Sequence, residues 1–256
     1  MTTNFDQSNG RSPLIEMKAL AKTYYTISGA YPALKNINLN FYRGEFIGVI
    51  GKSGSGKSTL VNMITGIDHP TAGNVCVDGV DIHAMSESKQ ARWRGKNLGV
   101  VFQFFQLLPM LTLAENVLLP MDFCNMYDPA ERPSRALALL KMVGLEQLAH
   151  KMPGSVSVGQ QQSAAIARAL ANDPPIIVAD EPTGNLDLKT AESVYNHFLA
   201  LAAEGRTIIM ITHDPEIAGR LTRTVTLKDG EIISLSLNET SKSYIETSND
   251  QGDQAR

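Results

Sequence analysis

The sequence predicts an α/β fold: a mostly parallel sheet flanked by helices, an antiparallel β portion near the N-terminus, and a helical subdomain insertion. Three observations predict it. A glycine-rich loop at 51–59 sits between an apolar stretch, Glu45–Ile50, and a helical one, Leu60–Thr65. Ile176–Ala179 and Thr207–Ile211 are short, continuously apolar runs, as strands buried on both faces require. Residues 104–155 carry helix signals and few strand signals.

Composition narrows the classes. A chain of 256 residues can build one sizeable core with a subdomain. The formal charge of −3 removes the general electrostatic case for nucleic acid. Cys76 and Cys124 lie far apart, which offers neither metal spacing nor a disulfide framework and suits buried thiols in a reducing compartment. No apolar run approaches the ~18 residues of a membrane span, and no charged-then-apolar export signal opens the chain. Service to a membrane would come from outside the bilayer, through a partner.

The elements follow in order. Residues 1–13 read as a flexible N-terminus. Leu14–Tyr24 and Ala33–Phe41 are strand-like, with a turn at 28–32 between them. After the loop and its helix, Asn74–Asp78 is a strand, and Asp78-Gly79 a hairpin signal. Ser86–Lys96 is a helix whose Lys89, Arg92, Arg94 and Lys96 form either an anion-binding patch or a solvated face. Leu98–Phe102 is a strand ending at Gln103. Thr112-x-x-Glu115 is a capping box before an apolar helix that stops at Pro120. Asp128 caps a further helix with Pro129 in its first position, and Leu137, Leu140, Met142 and Val143 give it an apolar face. A helix runs from Ser155 through Ala171, and another, capped by Asp187, from Leu188 to Ala203. Asp214-Pro215-Glu216 starts a short helix, and Asp229-Gly230 centres a terminal hairpin, 222–233. The body should span 14–234 as one domain, with 235–256 a disordered tail.

Gly51, Lys52, Ser53, Gly54, Ser55, Gly56, Lys57, Ser58 and Thr59 fit G-x-x-x-x-G-K-[ST]. The glycines let the backbone bend and approach a ligand, so that successive N–H groups face one concavity at a helix N-terminus. Lys57 can reach β- and γ-phosphates, and the Ser58 hydroxyl can ligate Mg²⁺. The core is therefore predicted as a P-loop NTPase core. Three strand ends supply suitable partners. Asp180 follows a buried strand and can hold Mg²⁺; Glu181 can polarise an attacking water. Gln103 can lend its amide oxygen to the Mg²⁺ shell. His213 can hydrogen-bond the γ-phosphate or the water, although a histidine at a strand end is by itself more often structural.

These residues, in this order, resemble the nucleotide-binding subunit of an ATP-binding-cassette transporter over about residues 14 to 234. Gly51–Ser58 matches Walker A, Gln103 the Q-loop and Asp180-Glu181 Walker B with the catalytic glutamate. Val156-Ser157-Val158-Gly159-Gln160 stands at the signature, Leu186-Asp187 at the D-loop and His213 at the switch histidine. Gln103–Pro109 and Asp180–Asp187 are similar to the lipoprotein-releasing and macrolide-exporting branch. The resemblance implies ATP with Mg²⁺, bound by Walker A and, from a second ATP-binding subunit, by Ser157, Gly159 and Gln160. It implies that Tyr24 stacks on adenine, with Tyr25 beside it leaving the register open. It implies hydrolysis that powers a membrane permease on a separate chain, from the cytoplasmic face of the membrane. Segment 104–111 would meet that permease, or else be buried in this subunit's own core.

The signature departs from the usual Leu-Ser-Gly-Gly-Gln-Gln-Gln-Arg. Val156 replaces Leu, Val158 the first Gly, and Ser163 the Arg. Val158 is β-branched and stiff, so it either weakens the closed dimer or is tolerated. Two rivals remain at this point: a nucleotide-gated switch with weak hydrolysis, and a non-transport relative acting on DNA or ribosomes. The latter lacks support from any basic excess, coiled-coil run or second cassette.

Overall fold

The computed structural model describes residues 11–27, 29–213 and 215–238. The chain divides into two compact units, Met1–Gln90 with Ala202–Arg256, and Ala91–Leu201.

In the first unit, β1 (Ile15–Thr26) and β2 (Gly29–Phe41) form an antiparallel hairpin, with Ile15 opposite Phe41 and Tyr24 opposite Tyr31. Its turn is tighter than 28–32: Tyr31 and Pro32 already lie in β2, and Ser28 is outside the described residues. The imperfect alternation of β2 has a local cause. Ala19 and Asn36 adopt left-handed φ near 47°, and the pairing register shifts beside them. β4 (Ala72–Val77) pairs with the other edge of β1, and β5 (Val80–Asp81) returns antiparallel through Asp78-Gly79, both at positive φ. This sheet has the order β2-β1-β4-β5.

The unit's other strands surround β3 (Phe46–Ile50), which runs parallel to β8 (Thr207–Ile211) and to β9 (Arg223–Lys228). All five residues of β8 are buried, as its unbroken apolar run requires. β10 (Glu231–Leu237) pairs antiparallel with β9 across Asp229-Gly230, again at positive φ. It runs past the expected boundary at 234, and the Asn238 amide ties its end to the carbonyls of Ala218 and Leu221. The remainder of the expected tail lies outside the described residues. Helix α1 (Lys57–Thr65) follows β3 and buries Leu60, Val61, Met63 and Ile64. Helix α7 (Pro215–Gly219) follows β8; Asp214, the expected first residue of this helix, is outside the described residues.

Helix α2 (Glu87–Asn97) leads in sequence into the second unit, where β6 (Leu98–Val101) and β7 (Ile176–Asp180) pair in parallel, Leu98 opposite Ile176. Three helices of this unit, α3 (Leu113–Cys124), α4 (Arg132–Met142) and α5 (Val158–Ala169), pack on one another. Helix α6 (Leu188–Ala203) follows β7.

Helix α1 begins three residues before the expected Leu60, and three helices of the second unit also depart from expectation. α3 continues through Pro120 to Cys124. A proline in a helix interior costs about 3 kcal/mol; burial of Leu113, Val117, Met121 and Cys124 along one stripe outweighs it. α4 begins at Arg132, not after Asp128. The Asp128 carboxylate instead accepts from Ala130 N at 2.8 Å in a preceding turn. The nearly buried Arg132 holds segment 122–127 through Asp122, Asn125 and the Met126 and Tyr127 carbonyls. The inward residues here are Ala136, Leu140 and Val143, whereas Leu137 and Met142 are exposed. α5 begins at Val158 because Ser157 caps it; Pro153–Ser155 is a separate 3₁₀ turn.

Candidate functional site

The phosphate loop leaves β3 and enters α1 within the first unit. Two glycines are dictated by close approach. A Cβ on Gly51 would come within 2.3 Å of the Leu227 carbonyl oxygen. One on Gly56, the left-handed N-cap of α1, would come within 2.5 Å of the Ala33 carbonyl oxygen. Gly54, at φ 78°, has open space around it. The loop is braced from several sides: Gly230 N donates to Ser55 O at 3.0 Å, and Ser55 N to Lys52 O at 3.1 Å. Lys57 is buried, and its Nζ donates to Gly51 O at 2.8 Å and Lys52 O at 3.1 Å. An ammonium has three N–H donors, so one remains for an anion. The Ser55 hydroxyl is buried without a hydrogen-bond partner, a polar group in the loop that no protein atom claims. Lys52, Ser53 and Ser58 are exposed, and Thr59 is half-buried at the start of α1.

The two adjacent tyrosines differ in burial. Tyr24 is half-buried, and its hydroxyl donates to Asp68 Oδ2 at 2.9 Å, while Tyr25 is 78% exposed. Thr59, in the first turn of α1, is within hydrogen-bonding reach of the same hydroxyl. Tyr31, opposite Tyr24, donates its hydroxyl to Gly54 O at 3.1 Å, a contact with the loop that the sequence did not suggest. His213, also in this unit, is exposed two residues beyond β8.

The second unit holds the other expected residues. Asp180 ends β7, and Glu181 follows it at φ 47°, left-handed for a residue with a long side chain. Such conformations cost on the order of 1–3 kcal/mol and gather at functional positions. Gly184 N closes the turn on Glu181 O at 3.2 Å. Gln103 lies just past β6, half-buried. Phe105 and Gln106, two and three residues on, also have positive φ. Their carbonyls accept from Arg168 of α5, Phe105 O at 2.7 Å. Burial lowers the Arg168 guanidinium from its usual value. Asn116, fully buried in α3, then fixes the next stretch. Its Oδ1 accepts from Leu108 N at 2.7 Å, and its Nδ2 donates to the carbonyls of Leu108, Leu111 and Thr112. Between these two braces Phe104 (72%), Leu108 and Met110 are exposed, so the reading of this segment as part of the subunit's own core is not what the structure shows.

Ser157 caps α5 in a complete box: its Oγ accepts from Gln160 N at 3.2 Å, and Gln160 Oε1 accepts from Ser157 N at 2.9 Å. The Ser157 hydroxyl proton therefore remains available to donate. Val158 and Gly159 are the first two helical residues, whose N–H groups have no partner within the helix. Val158 has no positive φ, so its backbone adopts what glycine would adopt there; its side chain is 47% exposed. A Cβ on Gly159 would meet Thr190 Cγ2, and Thr190 Oγ1 donates to Asp187 Oδ2 at 2.6 Å.

The structure thus places Tyr24, residues 51–59 and His213 in one unit, and Gln103, Ser157, Gly159, Gln160, Asp180 and Glu181 in the other. Lys22, Tyr31, Asp68, Asn116, Arg168 and Thr190 join the surroundings of these residues without having been anticipated. A lone Arg in the Ala-rich α5 and a lone Asn in the apolar α3 were the available signals.

Comparison with known proteins adds three kinds of match. Residues 34–184 match a family model described as ABC transporter. The chain is 45% identical over 223 residues to an uncharacterized ABC transporter ATP-binding protein, MJ0796, of Methanocaldococcus jannaschii, covering 86% of this chain and 95% of that one. It is 44% identical over 222 residues to the macrolide export ATP-binding/permease protein MacB of Marinobacter nauticus, covering 86% of this chain and 34% of that longer protein. A solved dimeric structure of a post-hydrolysis state of the MJ0796 cassette bound to ADP and Pi superposes with a TM-score of 0.83. That match is at 42% identity and covers 88% of this chain and 99% of the other.

Proposed function

The chain belongs to the ABC transporter family, and from that premise we propose that it is an ATP-binding subunit that hydrolyses ATP to power a membrane permease. Its likeness to the macrolide-exporter cassettes favours export; extraction of a lipid or lipoprotein rests on the resemblance of the sequence motifs alone. The likeness to a cassette captured after hydrolysis favours an enzyme over a switch that only binds nucleotide.

The roles follow from the chemistry on each element. The backbone N–H groups of 51–59 and the third N–H of Lys57 bind the phosphates. Tyr24 offers its ring to the adenine. Glu181 accepts a hydrogen bond from the attacking water and orients it, and His213 hydrogen-bonds the γ-phosphate. Ser157, Gly159 and Gln160 serve the nucleotide of a second ATP-binding subunit, where the Ser157 hydroxyl and the N–H groups opening α5 meet its γ-phosphate. Mg²⁺, when bound, would draw charge off the phosphate oxygens. Ser58, Asp180 and Gln103 would hold it. All three are oxygen donors, as a hard cation needs. Among the described residues no three acidic, His or Cys side chains gather into a cage, so the ion would depend on the nucleotide as well.

No helix among the described residues is long and apolar enough to cross a membrane. We propose a permease on a separate chain, docked on Phe104, Leu108 and Met110 at the cytoplasmic face of the cell membrane.

The observation that carries hydrolysis is Glu181, held left-handed at the end of a buried strand. Glu181→Gln keeps shape and removes the base. Its turnover should fall by about 10²–10⁴-fold with ATP affinity retained. Wild-type turnover in this variant would remove the assignment.

A further inference from the structure

We propose that Asp68 is a positioning residue for nucleotide binding: through Tyr24 and Lys22 it locks the aromatic ring against which the base stacks. The inference rests on the reading of Tyr24 as the base platform.

Asp68 stands just beyond the C-terminal cap of α1, the helix that the phosphate loop opens. Its own N–H and that of Ile67 donate back to Asn62 O, at 3.3 and 3.0 Å. The carboxylate is thus fixed to the same helix as the phosphate-binding residues. Oδ2 accepts from the Tyr24 hydroxyl at 2.9 Å, and Oδ1 from Lys22 Nζ and from His69 N, both at 2.7 Å. Lys22 lies two residues from Tyr24 on β1, hence on the same face of the strand. Its Nζ also donates to His69 O at 2.7 Å and sits over the Tyr24 ring, 4.8 Å from the centroid.

Two consequences follow. The ring is held at its hydroxyl end, so it cannot swing about the strand without breaking a charge-assisted hydrogen bond. One face is already covered by an ammonium within cation–π range. Only the opposite face is left for a base. A ring fixed beforehand loses little conformational freedom on stacking, which favours binding. Lys22 spends two of its three N–H donors on Asp68 and His69 and is paired with a carboxylate, so the arrangement should act on the base and not on the phosphates.

The test separates base from phosphate. Binding of ATP and of inorganic tripolyphosphate, which has no base, is measured for the full chain and for Tyr24→Phe, Asp68→Ala and the double variant. Tyr24→Phe keeps the ring and loses only the hydroxyl. We expect ATP affinity to fall about three- to tenfold in each single variant, the yield of one hydrogen bond. Tripolyphosphate affinity should stay unchanged, and the double variant should be no worse than either single one. An equal loss for both ligands would mean that Asp68 merely supports the fold near α1, and would overturn the proposal. So would unchanged ATP affinity in both variants. If the wild type binds ATP no better than tripolyphosphate, Tyr24 is no platform at all and the proposal falls with it. A wild type that binds neither ligand would instead overturn the ATPase reading.

Discussion

Gly159 and Thr190 leave no room for one another to grow: a Cβ on Gly159 would sit 2.3 Å from Thr190 Cγ2. This glycine is required by packing and not by φ, since its backbone is ordinarily helical. Thr190 cannot rotate its methyl away freely, because its Oγ1 and N both bond Asp187, the cap of α6. The signature helix and the D-loop aspartate are thereby joined within one unit. Gly159→Ala should cost about 1–3 kcal/mol by overpacking, read as a lower urea midpoint. Adding Thr190→Ser removes the offending methyl, keeps the hydroxyl for Asp187, and should restore most of the loss. A double variant as unstable as the single one would show that the contact is not the cause.

Val158 bears on activity through its side chain alone. At the first position of α5 its backbone offers the same N–H that glycine would. What differs is a half-exposed branched side chain beside the place where another subunit's γ-phosphate is proposed to sit. Val158→Gly should therefore raise ATP turnover, by about ten- to a hundredfold if removing the branched side chain lets that γ-phosphate reach the N–H groups opening α5 and complete one charge-assisted hydrogen bond. Stability should fall by no more than ~1 kcal/mol, the helix cost of glycine. Steady-state ATPase rates at saturating ATP decide it: an unchanged rate shows that the site tolerates the valine.

Much of this was legible in the sequence because local rules and tertiary demands agreed. The loop at 51–59, the acid after Ile176–Ala179, the Asp-Gly turns and the capping box at Thr112 are short-range signals, and each stands at its expected place in the chain. The misreadings came where long-range packing prevailed. Pro120 ends a helix by local rules but not when a buried stripe continues through it. Asp128 is a good cap by composition, yet Arg132, held by Asp122 and Asn125, moves the helix start downstream. Partners such as Asp68 for Tyr24, or Arg168 for Phe105, lie about 40 to 60 residues apart and leave no periodic trace.

Arg168 is the clearest of those distant partners. Its guanidinium donates to two successive carbonyls, of Phe105 and Gln106, in a left-handed turn just after Gln103. Lysine has the charge but not the planar fork, so it can serve only one carbonyl well. Arg168→Lys should lose about 1 kcal/mol, and Arg168→Met about 1–3 kcal/mol, since both carbonyls then lose a charged donor. Amide hydrogen exchange at 104–108 should quicken in both variants more than in α5 itself. Equal quickening throughout the unit would indicate general destabilisation and no specific brace.

The Lys22–Asp68 pair sets a pH dependence whose sign can be worked out. Burial alone would raise the Asp68 carboxyl, but hydrogen bonds from Lys22, the His69 backbone and Tyr24 outweigh it and hold the group below its ordinary 3.8. A carboxyl lowered on folding binds fewer protons in the native state, so it stabilises the protein above its unfolded pKa. That contribution disappears as pH falls through the lowered, folded value. Lys22→Met removes the partner and lets the carboxyl rise. Wild type should accordingly melt above Lys22→Met at pH 7. The gap should stay level down to about pH 5 and then close below about pH 4 as both carboxyls protonate. Thermal unfolding across that range measures it. A gap that persisted in acid would assign the effect to the packing of the Lys22 stem on Tyr24 rather than to its charge.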